Sequence, residues 1–440
     1  MKALAATLLW GALALLTLFL LVRNGLAIPV LAPLDPNEGW NAAHALSLLA
    51  GHDLYPPPQS LMVNNYPPLS FYLVAALTRL TGDAIVAGRI LSLVSFLGAC
   101  ASLALTLRQM ALSAHAQWVA VLFFAATLLI ASDYVGMDDP QLLGHAVQLL
   151  GLLLVLRGQN LAGGGVFAAS LFVKHNLLAL PLASALWLWR QDRGMALRLV
   201  ASGIGLGLLG LMLFRLLYGF NLLSALSSSR LVSLANVETA ISHLWWAALP
   251  LGMLLLLQDR RKALCLLYAS TALAVGLLFS AGDGVDVNVF FDLVLACALI
   301  LALTAETNSA RAAFCALPLP LFLIANFHDN NFFFTLDFRA QSARDIAFIK
   351  SQPGPALCDQ LSLCLWAGKG AEVDVFNAGE QIKTGARDPS NLKQMIAAHR
   401  FAVLQLQDTD ALGEPIRREI EQHYRADHSD DNGTFFTPLF

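Results

Sequence analysis

Runs of about twenty apolar residues recur from Met1 to about Asn326, and a helix of that length crosses a hydrocarbon core of about 30 Å. This pattern constrains the chain more than any motif does. A bilayer offers backbone groups no water, so such runs must close their own hydrogen bonds as helices. Only 13% of the 440 residues are charged and 57% are hydrophobic; an ordinary soluble protein carries about 25% charge. The expected fold class is therefore mainly α, a polytopic helical membrane protein over residues 1–326. Residues 327–440 are charged, mixed and much less apolar. They read as a separate small α/β domain.

The apolar runs lie at about 3–22, 86–107, 116–132, 141–157, 161–173, 177–189, 196–217, 241–257, 263–280, 288–304 and 310–326, or about eleven spans. The first run is too long for a signal-peptide core and reads as an uncleaved span. The runs 161–173 and 177–189 are short and suit a hairpin. With the N-terminus in the cytoplasm, most basic residues of the membrane part fall inside, among them Lys2, Arg108, Arg157, Arg190, Arg260, Arg261 and Lys262. The same topology gathers Asp35, Glu38, Asp53, Asp133, Asp138, Asp139, Glu238, Asp283 and Asp286 on one outer surface. An odd span count puts the C-terminal domain outside as well. Of the six cysteines, Cys100, Cys265, Cys297 and Cys315 sit in apolar runs and read as small hydrophobes. Cys358 and Cys364 suit a disulfide if their segment is extracytoplasmic.

The loop 31–85 is the most informative outer segment. Asp35-Pro36-Asn37-Glu38 has an N-cap, a proline at the first helical position and a glutamate at the third, which together spell a helix start. The helix that follows is amphipathic and reads as lying in the membrane interface with its apolar side in lipid. Capping needs one carboxylate, however, and both Asp35 and Glu38 stand at the mouth of the membrane part. A carboxylate placed there can serve as general base on an acceptor hydroxyl or amine. Tyr66-Pro67-Pro68-Leu69 opens a second short helix, 69–81.

A second acidic loop holds Asp138 and Asp139 before Pro140. Asp139 suits an N-cap, whereas Asp138 is not needed for one. Adjacent carboxylates also suit a divalent cation, Mg²⁺ or Mn²⁺, bridging phosphate oxygens, or contact with the acceptor. Lys174 lies between the two short runs. A lysine there either snorkels at a turn or neutralises a lipid phosphate. Arg89 and Arg230 are the other cations available to a phosphate near the outer face. The glycine- and aspartate-rich stretch 282–288 resembles a calcium loop only superficially, since it lacks the bidentate glutamate. His44, His52, His145 and His243 are dispersed and no metal is assigned to them.

In the C-terminal domain, helix-like stretches (342–352, 390–399, 415–424) alternate with strand-like ones (356–358, 372–376, 401–406). Alternation of this kind predicts a largely parallel sheet. No nucleophile motif, phosphate loop or metal cluster is visible in it, which leaves substrate recognition or support as its role.

Taken together, Asp35, Glu38, Gly51-x-x-Leu54-Tyr55, Tyr66-Pro67-Pro68-Leu69-x-Phe71-Tyr72 and Arg89-Ile90-Leu91-Ser92 resemble the GT-C membrane glycosyltransferases. The branch most similar holds the protein O-mannosyltransferases and aminoarabinose transferases, or glycosyltransferase family 39-like proteins. The resemblance implies a GT-C fold with interfacial helices in the first outer loop and a polyprenyl-phosphate sugar donor. The sugar would pass, with inversion, to a glycan, lipid or protein acceptor on the outer side. Asp35 matches the family's first-loop acid, the base. Pro36 and Asn37 separate the two acids here, so Asp35 and Glu38 both stand as candidates. Lys174 falls near a family lysine element, Asp138 and Asp139 match a second acidic motif, and Tyr55 and Tyr66 belong to the substrate loop. Such a protein is expected in a bacterial inner membrane, with membrane lipid around it and no nucleic-acid partner. A transporter or flippase of lipid-linked saccharides is the main alternative, but it would usually show internal repeats, and none is visible. A non-catalytic assembly factor would have no reason to gather carboxylates around the spans.

Overall fold

The computed structural model describes residues 2–325 and 336–439. A long helix α1 (Lys2–Ala27) leads into two loop helices, α2 (Pro36–Leu49) and α3 (Leu69–Thr81). Next come α4 (Ala84–Gln109), α5 (Ala114–Ala131), α6 (Gln141–Leu156), α7 (Asn160–Val173), α8 (Ala179–Gln191), α9 (Arg193–Tyr218) and short α10 (Asn221–Leu226). A 3-10 turn joins α11 (Leu234–His243) to α12 (Ala248–Leu256), and α13 (Lys262–Ser280), α14 (Phe291–Thr307), α15 (Ser309–Ala316) and α16 (Pro318–Ala325) complete the helical part.

Among the described residues, seven helical segments are long and apolar enough to cross a membrane. The runs expected at 141–157, 161–173 and 177–189 fold as α6, α7 and α8 with nearly those bounds, and the described part of 310–326 is divided between α15 and α16. The end of the last run and the boundary placed at 326/327 lie outside the described residues.

Helix α14 is buried at every residue from Phe291 to Ala305. Its residues are apolar on every side from Leu293 to Leu303, and a helix apolar all round belongs in a core. It packs against α5 and α13 in the main hydrophobic cluster. Helix α9 is the opposite case, with only Ala196 and Leu199 buried. It is held by α7, where Gly164 lets the two backbones meet; a Cβ there would collide with the Leu199 carbonyl oxygen. Small residues at such crossings replace the hydrophobic drive that lipid removes.

Beyond the helical part come α17 (Leu336–Ser351), β1 (Ala356–Cys358), α18 (Leu361–Trp366), α19 (Val375–Lys383), α20 (Ser390–Ala397), β2 (Val403–Leu406), α21 (Glu414–His423), β3 (Tyr424–Asp430) and β4 (Gly433–Pro438). The sheet order is β1-β2-β4-β3. Alternate strand residues face two cores. Leu357, Leu404 and Leu406 pack with α19, α20 and α21, while Ala356, Cys358, Val403 and Phe435 pack with α17 and α18. Only β1 and β2 pair in parallel; the other two pairings are antiparallel. The expectation of a largely parallel sheet is corrected accordingly. The cause is the hairpin β3–β4, turned at Asp431-Asn432-Gly433 with Gly433 at φ 109°. Asp430 pairs with Gly433, so Asp431 and Asn432 form the two-residue loop, and the positive φ that follows them suits glycine.

The stretch 372–376 is likewise no strand. Asp374 caps α19 by accepting from the Asn377 amide at 3.0 Å, and its own amide donates to Leu61 O at 3.0 Å. Cys358 and Cys364 form a disulfide between β1 and α18.

The last correction concerns α2. Residues Glu38 to Ala45 are buried in protein, between α3, α4 and α18. At Gly39 a Cβ would collide with the Ser362 backbone nitrogen. The apolar side of α2 therefore meets protein where lipid was expected.

Candidate active site

The chain has a cavity of about 740 Å³ between the helical part and the sheet-bearing part, mostly apolar in its walls but with several charged side chains among them. The first loop supplies Asp35, Trp40, Asn65 and Tyr66. The second loop supplies Tyr134, and the turn after α7 supplies Lys174 and His175. Arg230, Asp286 and Asn288 close one side, and Asp359, Asp374, Phe376 and Asp408 close the other.

Asp35 reaches this wall because it caps α2. Its Oδ1 accepts from the Asn37 amide at 2.8 Å, and Pro36 occupies the first helical turn. Burial pushes its carboxyl up to about 7, and the nearby Asp286, Glu38 and Asp139 add to that, against the pull of the Asn37 hydrogen bond. A carboxyl poised there exchanges a proton readily at neutral pH.

Glu38 and Arg89 do not reach the cavity. Both side chains are fully buried, and Arg89 donates to both Glu38 carboxylate oxygens at 2.7 Å. It also donates to the carbonyls of Ala27, Ile28, Val30 and Ala32. The guanidinium thereby ties the end of α1 and the start of the loop to α2 and α4. Its donors are committed, so the expected phosphate-binding role of Arg89 is corrected to a structural one. Glu38 is saturated too, accepting further from the amides of Leu34 (3.0 Å) and Asp138 (3.2 Å).

The two acids of the second loop part company. The Asp138 side chain lies against Gly88 of α4, buried, and burial pushes its carboxyl well above the carboxylate range. Asp139 turns the other way and holds Lys174, with Nζ at 2.9 and 3.0 Å from its two oxygens. It also accepts from the Gln141 amide at 2.7 Å. Divergent carboxylates, one spent on an ammonium, do not form the expected cation site.

Lys174 does line the cavity. Its ammonium sits 4.8 Å from the Tyr66 ring centroid and 5.9 Å from that of Tyr134. Tyr66 is thus part of the wall, whereas Tyr55 is behind it, donating from its hydroxyl to Tyr66 O at 2.8 Å. Arg230 keeps donors to spare. It gives one hydrogen bond to Asp283 O at 3.3 Å and lies over the Phe376 ring at 5.4 Å.

Sequence reasoning missed the contribution of the C-terminal part. Asp374 accepts from Trp40 Nε1 at 2.8 Å and from Asn377 Nδ2 at 2.7 Å, locking the α19 cap to α2 across the cavity. Asn65 Nδ2 donates to Asn377 Oδ1 at 3.1 Å. No sequence signal links residues so far apart. Tyr134 was closer to view, as the aromatic beside the second acidic pair.

No protein-family model matches this chain, and no curated protein matches it by sequence. Solved structures do match in fold. ArnT from Cupriavidus metallidurans bound to undecaprenyl phosphate superposes with a TM-score of 0.60 at 12% identity, covering 96% of this chain and 97% of that one. ArnT from the same organism in the apo state gives 0.61 at 11% identity, covering 99% and 98%. The match runs over nearly the whole length of both chains, so the chain shares the fold of these ArnT structures.

Proposed function

We propose that the chain is a membrane glycosyltransferase that moves a sugar from a polyprenyl-phosphate donor to an acceptor on the extracytoplasmic side. One observation carries the reading. A carboxyl poised near neutrality, Asp35, shares a cavity with two cations, Lys174 and Arg230. Such a cavity suits a sugar between a base and a phosphate. The fold adds support, since the ArnT structure that shares it holds undecaprenyl phosphate.

In this proposal the Asp35 carboxylate takes the proton from the acceptor nucleophile. The nucleophile attacks the anomeric carbon as the bond to the phosphate oxygen breaks, with inversion. The lipid phosphate leaves with the electron pair, and Arg230 and Lys174 offset its charge. The leaving group is good already, so one base and two cations suffice. Glu38, bound to Arg89 away from the cavity, is not the base. The disulfide Cys358–Cys364 supports an oxidising compartment on the cavity side, hence a periplasmic face of a bacterial inner membrane with the N-terminus cytoplasmic. No divalent cation is assigned to Asp138 and Asp139.

The test is transfer from a radiolabelled polyprenyl-phosphate sugar panel by protein in lipid, wild type beside Asp35→Asn. Label reaching an acceptor with wild type alone is expected. No transfer with any donor, with donor crossing the bilayer of proteoliposomes, would replace this reading with a flippase.

A further inference from the structure

Outside the cavity lining, the folded sheet brings Asp345 together with two side chains of a strand some eighty residues further on. Asp345 lies on α17, while His428 and Asp430 lie on β3. One ligand atom from each falls within 4.8 Å of the other two. This is the only such trio of His, Cys, Asp or Glu among the described residues.

The geometry around the trio is that of a prepared site. Asp345 is 2% exposed. Its Oδ2 is fixed by Asn432 Nδ2 at 2.6 Å. Its Oδ1 faces His428 Nε2 at 3.7 Å, too far for a hydrogen bond. Two donors held by a common ion at 2.0–2.2 Å each would stand about 3.3 Å apart in a tetrahedral site, a few tenths closer. Two rings pack against the imidazole. Phe435 stacks on it at 4.4 Å with planes 8° apart, and Phe348 meets its edge at 5.0 Å. Its other nitrogen, Nδ1, lies 2.9 Å from Asp427 Oδ2. A carboxylate on the far nitrogen is how proteins orient a metal-binding histidine, since it places the proton on Nδ1 and the lone pair on Nε2.

We propose that Asp345, His428 and Asp430 bind one divalent transition-metal ion of the zinc type, with Asp427 and the two phenylalanines holding the imidazole. One imidazole with two carboxylates suits Zn²⁺ better than Mg²⁺, which takes oxygen ligands and keeps its waters. The ion joins α17 to the hairpin β3–β4, so its role is structural.

The test uses the full chain in detergent, free of any affinity tag, stripped with chelator and equilibrated with Zn²⁺ alone. Bound metal is measured by mass spectrometry after dialysis, and thermal unfolding is followed in parallel. Wild type should retain one ion per chain and unfold at a higher temperature with Zn²⁺. His428→Gln and Asp430→Asn, both on partly exposed positions, should remain folded and lose the ion. Asp427→Asn, which removes only the support of the ring, should weaken binding about 10- to 100-fold. Excess Mg²⁺ should not displace Zn²⁺. The proposal is overturned if wild type takes up no zinc, if the folded variants retain as much as wild type, or if Mg²⁺ displaces it.

Discussion

Asp35 carries two duties that a single substitution separates. Asn caps helices as well as Asp does, so Asp35→Asn keeps the start of α2 while removing the base. Transfer should fall to background. Wild-type rate should rise with pH through about 7, because the base works only when ionised. Stability runs the other way. The folded carboxyl titrates above its unfolded value, so the folded state binds the extra proton between about 4 and 7 and loses that advantage as pH rises. Asp35→Asn should therefore stabilise the fold at pH 8, by the order of 1 kcal/mol, read as a higher unfolding temperature. An unchanged or lower one would mean that the carboxylate is not held at an energetic cost. Glu38→Gln should behave in the opposite sense. Leaving Arg89 buried without its partner costs about 3–5 kcal/mol, and folded protein and activity should decline together.

Among elements, α2 bears the most consequence. It is gripped by α3 and α4 on one side and α18 on the other, and Gly39 permits that approach. In Gly39→Ala the new methyl meets backbone, which cannot rotate away, so about 1–3 kcal/mol should be lost. Limited proteolysis should then cut the C-terminal part sooner than in wild type. Unchanged cleavage would show that α18 does not depend on this contact. The burial of α2 also shows why its amphipathic pattern misled. An apolar stripe records that a face avoids water, and both lipid and protein satisfy it.

For the molecule as a whole, the cavity is a junction of distant segments, so charge pairs within it are coupled. Lys174→Ala strands Asp139 in a buried place and should destabilise by about 3–5 kcal/mol. Adding Asp139→Asn should recover most of that stability without recovering transfer, and a double variant no more stable than the single one would deny the pairing. Arg230→Ala strands no partner carboxylate. It should raise the donor KM about tenfold with little change for the acceptor; equal changes in both would remove Arg230 from the phosphate site.

Membrane helices, the cap at Asp35 and the Tyr66 loop were legible in the chain because each rests on local rules: apolar length, residue type at a helix start, proline at a turn. The cysteine pair was legible for the same reason, being close in sequence. Which acid faces the cavity was not. Asp35 and Glu38 are equivalent on paper, and only the arrival of Arg89 from α4 commits one to a buried ion pair and leaves the other at the wall. Asp138 and Asp139 separate for a similar reason, one turned toward α4 and the other claimed by Lys174. The meeting of Asp374 with Trp40, and of Asp345 with His428, joins segments with no local signal between them. Side-chain partners are set by proximity in space, and a buried charge takes whichever partner the fold brings within reach.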